Sequence, residues 1–140
     1  MGKSPIVIDT NVLISSLRSK RGTSYALINQ LEALSIEIAV SVPLVIEYEK
    51  VAFEQQDSIH FSIEEIQEYI DYICSIAIHQ KIHFLWRPYL RDTKDDMVIE
   101  LAVAANCRYI VTFNKKDFSG IDKFGIFAVT PKEFLHIFGE

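Results

Sequence analysis

The apolar positions of the chain fall into short unbroken runs, separated by longer stretches with helical spacing. Ile6-Val7-Ile8 is the first run, three β-prone residues with no polar alternation, as in a strand buried on both faces. It leads straight into Asp9, with Thr10 or Asn11 placed to cap a helix over 12–17. A polar, basic loop from Arg18 to Ser24 precedes a second helix through Tyr25, Leu27, Ile28 and Leu31, capped by Thr23 or Ser24. Residues 36–40 read as the second strand. Ser41-Val42-Pro43 stops it and opens a helix carrying Leu44, Val45, Glu47, Tyr48, Val51 and Phe53, with the proline near its first turn.

Ser62 followed by Glu65 is a capping box, and Ile63, Ile66, Tyr69, Ile70, Ile73 and Ile76 follow at helical spacing. Residues 82–85 predict a short strand, and 86–93 a loop containing Pro88. A helix over 95–106 buries Met97, Val98, Leu101, Ala102 and Ala105 and ends at Asn106 or Cys107. Residues 109–112 form another buried strand, which ends in the polar turn from Asn114 to Asp117. A last strand at 126–129 meets a capped terminal helix over 134–138. Strands alternate with helices throughout, which predicts an α/β fold whose mostly parallel sheet is covered on both faces. No linker or repeat divides the chain, so residues 1–140 are expected to form a single domain.

At 140 residues and 49% hydrophobic content the chain can bury a full core. The balance of 14 Lys+Arg against 19 Asp+Glu, a net charge of −5, excludes a generally basic nucleic-acid coat. It leaves room for an enzyme on nucleic acid, because a cluster of metal-binding carboxylates itself makes the count negative. Cys74 and Cys107 lie far apart in apolar surroundings and lack metal-site spacing, which suits buried thiols in a reducing compartment. The apolar run before Asp9 is too short for a signal peptide or a membrane span, so a soluble, cytoplasmic protein is expected.

Four groups of acids can carry chemistry, and each has a bland alternative. Asp9 stands where open α/β sheets place their chemistry, or is a turn residue that caps the next helix. Glu47 borders the apolar stripe of its helix and either faces the strand ends or is simply exposed, with Glu49 as its rival. Asp92, Asp95, Asp96 and Glu100 surround a helix start, where the dipole accounts for Asp92 and Asp95 without any function but less well for Glu100, a full turn further in. Asp96 and Glu100, one helical turn apart, repel unless a cation compensates them. Asp117 follows the strand at 109–112, with Asn114 just before it. There is no His-Cys set for zinc, no nucleophile elbow and no P-loop. Carboxylates at successive strand ends suit hydrated hard cations and metal-assisted hydrolysis of a phosphate ester.

The order of these motifs resembles the PIN-domain (PilT N-terminus) family. The segment from Val7 to Ser15 is similar to the family's opening. Ser41 to Glu47 looks like its second motif, Arg91 to Ala102 its third, and Tyr109 to Phe118 its fourth. The run from Val129 to Leu135 matches one branch, the toxin components of toxin–antitoxin pairs. The resemblance implies a three-layer α/β/α fold with a mostly parallel sheet and an Mg²⁺- or Mn²⁺-dependent ribonuclease. It implies Asp9, Glu47 and Asp96 as metal ligands, with Asp117 as the fourth acid. Thr10 and Thr112 would orient the ligands, Asn114 would add a polar contact, and Glu100 would be a supporting acid. It also implies an RNA substrate, a cognate antitoxin and a homodimer or higher homo-oligomer. Asn114 and Lys94 stand where members of the family often carry aspartate. The competing expectation is a PIN-like RNA- or protein-binding module without turnover; a receiver-like domain is disfavoured, since no acid pair precedes Asp9. Arg18, Lys20, Arg21, Lys115 and Lys116 either hold a phosphate backbone or are solvated loop charges. Trp86 and Tyr89 either stack on bases or pack.

Overall fold

Three strands meet at the centre of the molecule: β1 (Ile6–Ile8) pairs in parallel with β4 (Tyr109–Val111), and β4 pairs in parallel with β5 (Phe127–Val129). The computed structural model describes residues 4–82 and 93–138, with only the backbone for 93–95. On the other side of β1, β2 (Ala39–Val40) pairs in parallel with β3 (Ile78–His79). A parallel bridge between Ile6 and Ile38, and a 2.9 Å bond from the Ile6 N–H to the Glu37 carbonyl, join the two sets. The order across the sheet is therefore β3-β2-β1-β4-β5. From β1 the chain steps outward to β3, then returns to the opposite side of β1 as β4. That reversal opens a crevice at the carboxyl ends of β1 and β4, the place where such sheets bind ligands.

Helices α1 (Thr10–Arg18) and α2 (Thr23–Gln30) connect β1 to β2. Next, α3 (Val42–Glu54), a 3-10 turn (Gln56–Ser58) and α4 (Ile63–Ile76) connect β2 to β3. Helix α5 (Thr93–Ala104) leads into β4, and α6 (Pro131–Phe138) follows β5. Right-handed crossovers put α1 to α4 on one face and α5 on the other, the three-layer α/β/α arrangement. All three residues of β1 are buried, as the unbroken apolar run requires. The core runs from there through Leu13, Leu27, Leu44, Ile66, Ile70, Ile99, Ile110 and Phe134. Tyr48 is buried on α3 and donates its hydroxyl to the Ile8 carbonyl, which ties α3 to the last residue of β1.

Several local expectations are corrected. The cap of α1 is not Thr10 or Asn11 but Asp9, as its reading as a capping turn residue has it; the carboxylate accepts from the Thr10 N–H at 2.8 Å. Gly22 occupies the cap position of α2 without a side-chain bond. The third described strand is Ile78–His79; of the strand expected at 82–85, Ile82 lies outside any strand and the rest lies outside the described residues. Ile99 is fully buried on α5, whereas Met97 and Ala105 are half-buried. The capping boxes of α4 (Ser62 with Glu65) and α6 (Thr130 with Glu133) form as their spacing predicts. Asp92, Trp86, Pro88 and Tyr89 lie outside the described residues, as does the side chain of Asp95. Among the described residues, no helix is long and apolar enough to cross a membrane.

Candidate active site

Asp9 leaves β1 in extended backbone and enters α1 as its cap, so the strand's end fixes its backbone and the helix fixes its side chain. One carboxylate oxygen, Oδ1, takes the Thr10 N–H. The other, Oδ2, accepts from the Thr112 hydroxyl at 2.8 Å and from the Asn11 amide at 3.4 Å. Thr112 is fully buried at the end of β4. Its hydroxyl also accepts from the Asn114 N–H at 3.0 Å, while the Asn11 side-chain oxygen accepts from the Phe113 N–H at 3.3 Å. Two strand ends far apart in sequence are thus stitched together around one carboxylate. The role of Asn11 as the cross-tie was not legible, because its partners sit on a strand distant in sequence.

This carboxylate opens onto a cavity of about 290 Å³ whose lining includes Thr10, Arg18, Glu47, Asn114 and Asp117. Helix geometry explains the lining: Asn11, Ile14 and Arg18 share one face of α1, and Leu44, Glu47, Val51 and Gln55 share one face of α3. Glu49 turns elsewhere and accepts a 3.0 Å bond from Gln67 of α4. Asp117 is exposed on the 3-10 turn Lys115–Phe118, which Phe118 anchors in the core, and its N–H donates to the Asn114 carbonyl at 3.0 Å. Asp96 and Glu100 are buried on α5; neither belongs to the lining, to which α5 contributes Met97 and Val98.

Burial pushes the Asp9 carboxyl above its ordinary value. The bonds from Thr112 and Thr10 oppose that rise, and the charges of Asp117 and Glu47 reinforce it. Three acids therefore share one field, and a cation among them would relieve both the burial and the repulsion. Among the described residues, no three His, Cys, Asp or Glu side chains converge tightly enough to cage a metal ion. A hydrated Mg²⁺ or Mn²⁺ needs no such cage, since it keeps several waters and binds through one or two carboxylates. The all-oxygen donor set fits that chemistry.

The remaining cations divide. Lys115 pairs with Glu133 at 2.9 Å, and Lys20 lies 5.7 Å from the centre of the Phe61 ring. Only Arg18, among the described cations, lines the cavity.

In fold, the chain is similar to one in the crystal structure of VapBC2 from Rickettsia felis bound to a DNA fragment from their promoter. The TM-score is 0.64 at 17% identity, over 89% of this chain and 97% of that one. No curated protein sequence matches the chain. A family model described as the PIN domain matches residues 5–116, from the strand that delivers Asp9 to the turn after Thr112. With both strand ends of the acidic crevice inside that match, the protein belongs to the PIN-domain family.

Proposed function

We propose that the protein is a divalent-metal-dependent endoribonuclease that hydrolyses RNA phosphodiester bonds, and the toxin of a toxin–antitoxin pair. One observation carries the reading: a buried carboxylate at the sheet's switch point, with its charge raised in cost by two further acids in one open cavity. Asp9, Glu47 and Asp117 would hold the Mg²⁺ or Mn²⁺, and Asp96 and Glu100, buried on α5 outside the lining, would be supporting acids. When bound, the ion supplies charge neutralisation and water activation at the phosphodiester. Thr112, Thr10 and Asn11 fix the orientation of the Asp9 carboxylate, and Asn114 buttresses the Thr112 hydroxyl. Held this way, the carboxylate needs no reorganisation when substrate arrives. The toxin reading draws on the family and on the fold shared with a VapBC2 chain. It includes a cognate antitoxin and self-association, which light scattering of the protein alone and with its antitoxin would read.

Labelled single-stranded RNA, incubated with Mn²⁺ or with EDTA, tests the activity. Cleavage is expected only with the ion, and Asp9→Asn should lower the rate at least about 100-fold, the scale of one positioned catalytic group. Full cleavage by that variant would overturn the reading. A binding module without turnover is the second reading, favoured by the open spacing of the acids among the described residues. Mn²⁺-independent RNA binding with no product would establish it.

A further inference from the structure

A cavity lined by three acids, in a chain of net charge −5, repels the polyanion it is proposed to cut. Something at its rim must counter that repulsion where the backbone enters. Arg18, the last residue of α1, lies in the lining with Asp9, Glu47 and Asp117. Its Nε donates to the Ser58 hydroxyl at 3.2 Å, and its Nη2 donates to the Gln55 side-chain oxygen. Ser58 in turn donates to the Gln55 carbonyl at 3.0 Å, so both acceptors belong to one small unit at the end of α3.

Both acceptors are neutral. The guanidinium is held in place without its charge being cancelled, although carboxylates line the same cavity. A guanidinium carries more N–H donors than these two bonds use, in a planar fork that matches phosphate oxygens. Of the other candidate cations, Lys115 is paired with Glu133 and Lys20 sits over Phe61, while Arg21 and Lys116 do not line the cavity.

We propose that Arg18 grips the phosphodiester backbone of the RNA at the rim of the acidic cavity, aimed there by a brace of Gln55 and Ser58. The assignment rests on the nuclease reading above. Its alternative is a tie that merely fastens α1 to the end of α3.

The test uses a fluorescein-labelled single-stranded RNA, with binding followed by anisotropy in EDTA over a series of salt concentrations. Arg18→Gln is expected to weaken binding several-fold and to flatten the slope of log K against log salt by about 0.7, the value of one phosphate contact on a single strand. Arg18→Lys should keep the slope. Gln55→Glu should lose it, because the new carboxylate cancels the guanidinium while leaving it in place. The thermal shift that Mn²⁺ gives to Arg18→Gln should equal that of the wild type, since the acids are untouched. Wild-type affinity and slope in Arg18→Gln, with a wild type that cleaves RNA, would overturn this proposal alone. So would an affinity loss that tracks a fall in melting temperature and that Arg18→Lys does not restore. A wild type that neither binds nor cleaves RNA overturns both this proposal and the nuclease reading.

Discussion

Replacing Asp9 by asparagine separates the cost of a buried charge from the use made of it. In the ion-free protein, burial and the charges of Asp117 and Glu47 hold this carboxyl above its ordinary value. A group raised in this way stabilises the fold fully below its unfolded pKa, and that contribution is lost as pH rises through the folded value. The charge on Asp9 is therefore costly to the fold wherever the pH is high enough to ionise it. Asparagine removes the charge and keeps an oxygen for the Thr10 N–H, since Asn and Asp cap helices about equally well. Against this, one charge-assisted bond from Thr112 is lost or reversed, worth about 1–2 kcal/mol. The two effects oppose, so in EDTA the variant should melt within about 3 °C of the wild type. Metal changes the comparison. Mn²⁺ at 100 times its dissociation constant stabilises the protein it binds by about 2.7 kcal/mol. For a chain of this size that is a rise of roughly 8 °C. Scanning fluorimetry of both proteins, with EDTA and with Mn²⁺, should show the rise in the wild type and little of it in Asp9→Asn. Equal shifts in the two proteins would refute the idea that Asp9 holds the ion. A drop of many degrees in EDTA would show instead that the carboxylate's charge holds the fold together.

Further outcomes follow from the surroundings of the site. Tyr48→Phe removes the buried hydroxyl that donates to the Ile8 carbonyl and should cost about 1–2 kcal/mol, read as a lower urea midpoint at unchanged slope. Lys115→Ala breaks an exposed pair with Glu133, so its stability should change by no more than the roughly 0.5 kcal/mol typical of such pairs, a melting temperature within about 2 °C of the wild type. Burial pushes the Cys107 thiol up to about 12; a thiol reagent at mildly alkaline pH should modify it only as fast as the protein unfolds, which mass spectrometry after a timed quench would reveal.

How far the chain could be read depended on whether each signal was local. Ile6-Val7-Ile8 and Tyr109-Ile110-Val111 were legible because strands buried on both faces need no partner to announce them. Ser62 with Glu65 was legible because both halves of the box lie within one turn. β3 was not: it has two residues, one of them an exposed histidine at the sheet's edge, and the stronger apolar run at 82–85 drew the assignment away. Thr10 and Asn11 were plausible caps by type, but the carboxylate one residue earlier took that position. On α5, burial surrounds the helix from Val98 to Ala102, so the single face expected from Met97, Val98, Leu101, Ala102 and Ala105 left out Ile99. The choice between Glu47 and Glu49 depended on Gln67, and the engagement of Lys115 on Glu133 of α6. Neither partner is visible in the local pattern.

The pairing of β1 with β4 also sets when the site can exist. Ile6 lies opposite Tyr109, and the Thr112 hydroxyl that fixes Asp9 is made 103 residues later. At ordinary synthesis rates that interval is roughly 5–20 s, during which the first strand has no neighbour on that side. Contacts so distant in sequence also form slowly once the chain is complete. A growing or truncated chain that stops short of β4 carries Asp9 and Glu47 but lacks the hydroxyl, the crevice wall and Asp117. On the nuclease reading proposed above, a cell translating this message is shielded from its own nascent product, because the acidic site is among the last parts to be assembled.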